Sequence, residues 1–483
     1  MNPQSLNYIT MTAAAALVHR LLPGKMRNIF LLAVSWIFYY ACMPSHAPYL
    51  LVVTVLAWGF GLWMEKTPER KKAILTLGLC AAFGMLFLFK YLHFTGQVLT
   101  GILGRFGLPP IELPAFVQPL GISFYLFTVT GYLIDLYRGT GAAEHDFIDF
   151  ALFVGFFPTI LSGPIARSTH LLPQIKAHKA ASGPHWQEAK RGITRFIVGL
   201  FKKMLLADQL SVIVSTVFAA PESFGGLQMI VAILAYAMQI YCDFSSYSDM
   251  AVGAGLLFGL QLTENFDTPY FSASIQEFWR RWHISLSTWF RDYLYFPLGG
   301  SRKGTLRLYL NQMIVFAVSG LWHGAANHYL AWGLLHGGYQ VCGRIMRPLL
   351  KPMREKLDAH PVTRAVHRLC AMGITFGLTC LAWVFFRADS VSHAFRILMR
   401  LTTRGVFDLS VLGLSMPVLR LIGLALLLLL LWDLCAKKYD LVNRISDTVW
   451  LRWIFWTALV LLVLCFGAYG SGYNAAEFVY FQF

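Results

Sequence analysis

The stretch AVSGLWHGAANHYLAWGLLHGGYQ, from Ala317 to Gln340, lies in a segment without Asp, Glu, Lys or Arg that extends from Arg307 to Arg344. An apolar segment of this length can cross about 30 Å of hydrocarbon as a helix. It nevertheless contains three histidines: His323, His328 and His336. An imidazole at membrane depth is costly unless it faces a partner or a wet cavity. The stretch therefore predicts a membrane domain with a functional site inside it.

The composition of the whole chain agrees with a membrane protein. Of its 483 residues, 57% are hydrophobic and 13% are charged, whereas soluble domains have about 25% charged residues. The apolar runs are continuous, which favours an all-α polytopic membrane protein over a β-barrel of alternating strands. The clearest predicted spans are Asn28–Met64 (a hairpin broken near Pro44), Ala73–Phe89, Leu113–Ile134, Ser223–Cys242, Leu308–Gly343, Leu369–Phe386 and Trp453–Ala476. Weaker candidates raise the total to roughly 11–13 membrane segments.

The net charge of +16 follows from the positive-inside rule and does not require a nucleic-acid partner. Lys and Arg cluster between the predicted spans, in segments that we assign to the cytoplasm: Lys25/Arg27, Arg70–Lys72, Lys176–Lys203, Arg280–Arg307, Arg344–Arg368 and Lys437–Arg452. We therefore expect a multi-pass protein of the cell (inner) membrane with both termini outside the cytoplasm. No repeat or linker divides the chain, so we expect a single domain over residues 1–483.

Two segments look broken or re-entrant. Phe147–Leu161 is short, aromatic and interrupted by Gly and Pro, and Asp243–Leu260 starts polar and is rich in glycine. Irregular backbone at membrane depth is tolerated where protein shields it or where it lines a wet cavity. We expect both segments, with the histidine stretch, to line one central cavity.

The segment EFWRRWHISLSTWFRDYLYFPLGGSRKG, Glu277–Gly304, mixes aromatic and basic residues around His283. One interpretation is an amphipathic helix at the cytoplasmic interface, with aromatic anchors and arginines at the headgroups. Another is a cationic mouth for an anionic, phosphorylated donor such as a coenzyme A thioester. The candidate donor-binding residues are Trp279, Arg280, Arg281, Trp282, Arg302 and Lys303.

His323 is the strongest catalytic candidate from the residues alone. It lies between Gly320 and Gly324, where a ligand or another helix can approach closely. Burial would favour the neutral imidazole, the form that a general base needs. Structural hydrogen bonding is the preferred interpretation for His328 and His336. A metal site is not expected, because His323 and His328 are five residues apart and zinc motifs place two histidines at i and i+4.

Asp243 and Asp249 flank the sequence FSSYS after an apolar run. Two carboxylates near the membrane could relay protons in a secondary transporter. Local hydrogen bonds and helix capping are the alternative interpretation.

Several motifs resemble the bacterial branch of the membrane-bound O-acyltransferase family, in particular its alginate and peptidoglycan O-acetyltransferases. They are NFDTPYFSASIQEFWRRWHISLSTWFRDYLYFPLGG with GLWHGA, PLGISFYLF (Pro119–Phe127), LSGPIAR (Leu161–Arg167) and YCDFSSYSDMAVGAG. The resemblance extends over roughly residues 119–339, and the flanks match mainly in hydropathy.

The resemblance implies a ring of membrane helices around a central funnel or tunnel. It implies that His323, in the family's WHG motif, is catalytic and that His283 is a second important polar residue. It also implies an acyl thioester donor such as acetyl-CoA at the cytoplasmic face, no bound cofactor, and an acetyl group that ends on a cell-envelope polysaccharide. An extracytoplasmic SGNH-type acetyltransferase is the expected partner.

The C-terminal sequence AAEFVYFQF resembles a terminal motif of this acyltransferase branch, here at residues 478–483. Tyr480 could present its phenol to the site and carry an acyl ester outward. Its alternative role is that of an interfacial aromatic anchor. Two alternatives for the whole chain stay open at this point: transfer of another acyl group, such as D-alanine from a carrier protein to teichoic acid, and secondary transport.

Overall fold

The computed structural model describes residues 3–179, 186–405 and 408–468, and within these ranges the chain is helical, with one isolated β-bridge between Phe266 and Trp282. The first ten helices are α1 Leu6–Leu21, α2 Gly24–Cys42, α3 Ala47–Lys66, α4 Lys71–Leu86, α5 Leu92–Gly104, α6 Ile122–Arg138, α7 Phe147–Gly155, α8 Ser168–His178, α9 Trp186–Phe201 and α10 Asp208–Ala219. The next ten are α11 Gly226–Leu257, α12 Ile275–Arg281, α13 Ile284–Phe290, α14 Thr305–His323, α15 Asn327–Asp358, α16 Pro361–Arg387, α17 Val391–Met399, α18 Met416–Cys435, α19 Leu441–Asp447 and α20 Val449–Phe466. π-helical turns occupy Phe87–Tyr91, Lys202–Ala207 and Arg291–Tyr295.

Six helical segments of the described residues are long and apolar enough to cross a membrane: Pro44–Lys66, Pro68–Gly104, Gly226–Leu257, Pro361–Arg387, Met416–Cys435 and Val449–Phe466. The prediction of an all-α polytopic membrane protein is confirmed. The total of 11–13 segments also counts shorter or more polar helices, such as α6 and α14, and stays a prediction, as does the central funnel.

Helices α6 and α11 join the two hydrophobic cores of the fold. One core is formed mainly by α1–α4 and α6–α8, and the other by α10–α16 together with the end of α9. Side chains of α6 and α11 enter both cores, and both helices are buried along most of their length. By contrast, only 17% of the apolar window of α18 and 6% of that of α20 are buried. The central helices therefore carry the polar groups that need protection, and the peripheral ones present apolar surface.

Two sequence predictions are wrong: one about a break in the backbone and one about where a span begins. The segment Asp243–Leu260 is part of one continuous helix that ends at Leu257, because its polar side chains have partners and its glycines permit close packing. A Cβ on Gly253 would lie 2.6 Å from the carbonyl oxygen of Gly192 on α9. The span predicted at Leu113–Ile134 starts late, since the helix begins at Ile122 and the prolines that precede it lack the N–H that a helix uses.

The other broken segment is confirmed. Phe147–Gly155 forms the short helix α7, and the chain then continues through buried, non-helical backbone to Ser168. The Asn28–Met64 hairpin is also confirmed, since α2 ends at Cys42 and α3 begins at Ala47 around Pro44.

Candidate functional site

The end of helix α14 places His323 inside the protein. Helices α14 and α15 form a tight hairpin, and two glycines permit their close approach. A Cβ on Gly320 would overlap the carbonyl oxygen of Tyr329, and one on Gly333 would overlap that of Phe316. The close approach that the sequence predicted at Gly320 is therefore made by a second helix. The helix ends at His323, since Gly324 adopts extended backbone.

Aromatic rings enclose the imidazole of His323, which is 2% exposed. The ring centroids of Trp322, Trp332 and Phe386 lie 4.9, 5.0 and 5.3 Å from its own. All three contacts are edge-on, so apolar surface covers the imidazole from several directions. Such a setting excludes bulk water and strengthens electrostatic interactions within the site.

His283 occupies a strained position between α12 and α13. Its backbone has φ +45°, and its side chain is fully buried. A non-glycine residue in the left-handed region costs about 1–3 kcal/mol and is held there by its surroundings. Asn265 supplies part of that restraint, because its backbone carbonyl accepts a hydrogen bond from the N–H of Ile284 at 3.0 Å.

The side chain of Asn265 also fixes the tautomer of His283. Its Oδ1 accepts hydrogen bonds from the backbone N–H of Ser285 at 3.1 Å and from the hydroxyl of Ser285 at 2.9 Å, while its Nδ2 donates to Ser248 at 3.2 Å. A backbone N–H can only donate, which identifies the amide oxygen. The same Oδ1 lies 3.2 Å from Nδ1 of His283. Nδ1 therefore carries the proton, and Nε2 is the basic nitrogen.

The structure brings the two candidate catalytic histidines together. The ring centroids of His283 and His323 are 6.4 Å apart. Trp322 lies beside both, with its ring centroid 6.0 Å from that of His283. The two imidazoles therefore lie in one buried aromatic cluster.

A cavity of about 420 Å³ lies near this pair of histidines, although neither histidine lines it. It is lined by Ile284, the neighbour of His283, and by Ser319, which precedes His323 by one helical turn. Of the predicted donor-binding residues, Trp279 and Arg280 line it. Arg291, which belongs to the predicted cationic segment Glu277–Gly304, and Arg344, which the sequence analysis did not select, line it as well. None of the described residues that line this cavity is acidic, so it is cationic.

The other predicted donor-binding residues lie elsewhere. Arg281 forms an ion pair with Glu277 at 2.7 Å, and Trp282 is buried against Trp383, with ring centroids 5.1 Å apart. Arg302 and Lys303 are exposed on the turn before α14 and do not line the cavity. Roles for these four residues in binding stay predictions.

The two remaining histidines of the apolar stretch have local partners. Trp279 donates a hydrogen bond from Nε1 to Nδ1 of His336 at 3.2 Å. Nδ1 of His328 donates to the carbonyl oxygen of Phe385 at 3.1 Å. Both contacts tie α15 to neighbouring elements and agree with the structural roles predicted for these residues.

Asp243 and Asp249 both form ion pairs. Lys203 contacts Asp243 at 2.6 Å and Asp208 at 3.0 Å. Lys202 contacts Asp249 at 2.8 Å, and Arg195 contacts it at 2.7 Å. Fixed cations thus neutralise both carboxylates and connect α9 and the following π-helical turn to α11. Lys202 and Lys203 are therefore not loop residues, contrary to the charge-based assignment of Lys176–Lys203.

A second cavity of about 630 Å³ lies on the other side of Ile284 and contains groups of both charges. Asn265, Asp249 and Arg195 line it. The predicted acyl carrier Tyr480, with the rest of the motif at residues 478–483, lies outside the described residues.

Apolar helices thus surround a buried pair of histidines with a cationic cavity nearby, an arrangement that suits an integral membrane enzyme. The family model for the membrane-bound O-acyltransferase family matches residues 140–384. The probable alginate O-acetylase AlgI of Pseudomonas putida is 36% identical over 95% of this chain and 95% of its own length. The protein of the same name from Pseudomonas aeruginosa is 39% identical over 80% of this chain and 72% of its own length. The peptidoglycan O-acetyltransferase of Helicobacter pylori is 33% identical over 77% and 73%, respectively.

The chain therefore belongs to the membrane-bound O-acyltransferase family, as the sequence motifs indicated. It is a multi-pass membrane O-acyltransferase. The transporter alternative is not supported, because the matching family and relatives are acyltransferases.

Proposed function

We propose that this enzyme is an O-acetyltransferase that takes acetyl groups from a cytoplasmic thioester, such as acetyl-CoA, and supplies them to a cell-envelope polysaccharide of the alginate or peptidoglycan type. The names of its relatives, an alginate O-acetylase and a peptidoglycan O-acetyltransferase, support the acetyl group and the polymer class. We place both termini outside the cytoplasm, and we expect an extracytoplasmic SGNH-type acetyltransferase to complete the transfer.

The observation that carries this proposal is the cationic cavity beside the histidine pair. Arg280 and Arg344 form no ion pair with any described residue, whereas Arg291 is partly neutralised by Asp292 at 2.7 Å. Guanidinium groups recognise phosphate oxygens through paired N–H donors. Aromatic and amide side chains complete the lining, which suits an elongated donor arm that is part apolar and part amide.

The geometry supports general-base chemistry by His323. In the proposed step, its neutral imidazole accepts the proton of the acceptor hydroxyl while the hydroxyl oxygen attacks the thioester carbonyl. A C–O bond forms, the C–S bond of the tetrahedral intermediate breaks, and the thiolate takes the proton back from the imidazolium. The reaction releases a free thiol and an acetyl ester, so protons and electrons balance without a further reactant.

His283 assists as a fixed hydrogen-bond acceptor in this proposal. Because Asn265 holds the proton on Nδ1, the Nε2 nitrogen can accept a polar hydrogen of either substrate. The imidazole cannot rotate freely, since Phe244 packs against it with ring centroids 4.5 Å apart. A substrate group would thus be held beside His323 while His323 takes the proton.

Substitution of His323 tests the proposed function. In membranes that also contain the extracytoplasmic partner, His323→Ala should lower acetyl transfer from acetyl-CoA to cell-envelope polysaccharide by about 10²–10⁴-fold, the usual contribution of a general base. His93→Ala is the matched control, because His93 is an exposed histidine in another span. Membrane abundance of both variants should match the unmodified chain. Near-normal transfer by His323→Ala would contradict the role of this residue, and failure of acetyl-CoA where an acyl carrier protein succeeds would contradict the donor.

A further inference from the structure

A lysine lies next to the candidate catalytic base in the interior of a membrane span. Lys90 belongs to the segment Pro68–Gly104, one of the long apolar helical segments. Its partners are not acidic: Nζ donates to the carbonyl oxygen of Trp322 at 2.6 Å and lies 3.4 Å from that of His323 and 3.5 Å from the hydroxyl of Ser123. No carboxylate of the described residues forms an ion pair with it. An ionisable side chain within a membrane span is a functional candidate by default.

The contacts of Lys90 fall on the end of helix α14. The last four carbonyl groups of a helix have no partner within it. Here the carbonyl oxygen of Gly320 accepts a hydrogen bond from the N–H of Gly324 at 3.3 Å. The carbonyl oxygen of Leu321 accepts one from the hydroxyl of Tyr91 at 3.0 Å. The amine of Lys90 donates to the carbonyl oxygens of Trp322 and His323. All four carbonyls at the end of α14 are thus accounted for, three of them by two consecutive residues.

A π-helical turn makes this double contact possible. Lys90 and Tyr91 lie in the turn Phe87–Tyr91, which separates α4 from α5. Consecutive side chains of a regular α-helix point about 100° apart, so both would not normally reach one neighbouring helix end. Single-turn π-bulges are frequently found at functional sites.

We propose that Lys90 is a positioning residue for His323, an inference that rests on the proposed function of the histidine. The lysine holds the peptide groups on both sides of the His323 Cα. It also lies 5.9 Å from the ring centroid of Trp322, which packs against His323 and His283. Its positive charge lies at the negative end of the α14 dipole, where a cation is favourable. Lys90 therefore fixes the backbone at His323. Through Trp322 it also fixes the ring contacts that orient the imidazole of His323.

Three variants test this proposal in the full-length chain reconstituted in lipid nanodiscs, with acetyl-CoA as the donor probe. Lys90→Met keeps a long, unbranched side chain and removes the donor. We expect kcat to fall by about 10- to 100-fold, because small misplacements of a catalytic group are costly, with the KM for acetyl-CoA unchanged within about two-fold. Lys90→Arg keeps the charge and donors and should restore most of kcat. Lys72→Met, at the exposed start of the same span, is the matched control.

The outcomes separate this inference from the proposed function. Unchanged kcat for Lys90→Met, with His323→Ala inactive, would overturn the positioning role and leave the general base intact. Equal losses in Lys90→Met and Lys90→Arg, together with reduced membrane abundance, would also overturn it, since a packing role would explain them. An active His323→Ala variant would instead remove the proposed function itself.

Discussion

Asn265→Leu should impair catalysis through the tautomer of His283. Leucine has a similar size but cannot accept the hydrogen bonds from Nδ1 of His283, from the N–H of Ser285 and from its hydroxyl. A neutral hydrogen bond contributes about 0.5–1.5 kcal/mol net. Losing the bond to His283 therefore weakens the preference for the Nδ1–H tautomer by about 2- to 13-fold. With the bond from Nδ2 to Ser248, four hydrogen bonds are lost, which lowers the free energy of unfolding by about 2–6 kcal/mol.

Two measurements separate these effects. The ¹⁵N chemical shifts of His283 report which ring nitrogen carries the proton, and we expect a mixture of tautomers in Asn265→Leu. The change in tautomer alone should lower the kcat of acetyl transfer from acetyl-CoA by at most this factor of about 2 to 13. Asn265→Asp keeps an oxygen acceptor and should retain the Nδ1–H tautomer.

Ser285→Ala is the matched control for loss of packing and stability. It removes the hydroxyl that donates to Asn265 and that accepts from the N–H of Ile165 at 3.1 Å. It leaves the contact between Asn265 and His283 in place. If Ser285→Ala loses as much kcat as Asn265→Leu, or if the tautomer of His283 is unchanged in Asn265→Leu, the reasoning is refuted.

Two further predictions concern the donor and the acyl path. Arg280→Gln should raise the KM for acetyl-CoA by about 10-fold or more, increasingly at low salt, because a charge-assisted hydrogen bond contributes about 1.5–3 kcal/mol. Arg354→Gln, an exposed residue outside the cavity lining, is the control, and equal effects would point to general surface charge. Tyr480→Phe removes only the phenolic oxygen and should abolish polymer acetylation. Mass spectrometry of the C-terminal peptide should show an added acetyl group when the downstream partner is absent, and a fully active variant would leave Tyr480 as an anchor.

The sequence predicted the class of fold because apolar runs and basic clusters are local properties. It also selected His283, His323, Trp279 and Arg280, which the structure places around one region. The motifs around these residues are specific enough to indicate their family without a structure. Spacing alone would not have joined His283 to His323, since they are 40 positions apart.

The partners of the histidines could not be predicted from the sequence. Asn265 lies 18 residues before His283, and Lys90 lies 233 before His323, so neither falls within a local motif. The sequence did contain a signal for Lys90, because it is a lone lysine after the apolar run Ala73–Phe89. It did not indicate that this lysine contacts the end of α14. Polarity likewise misplaced a break at Asp243, because the cations that neutralise Asp243 and Asp249 come from a distant helix.

Different contacts fix the positions of His283 and His323. His283 is fixed through its ring by Asn265, so its proton stays on one nitrogen. His323 is fixed through its backbone, where Lys90 and Tyr91 hold the end of α14, while aromatic edges surround its ring. The locked tautomer of His283 suits a residue that accepts a hydrogen bond through Nε2. These contacts support the proposal that His323 is the base and His283 the fixed acceptor beside it.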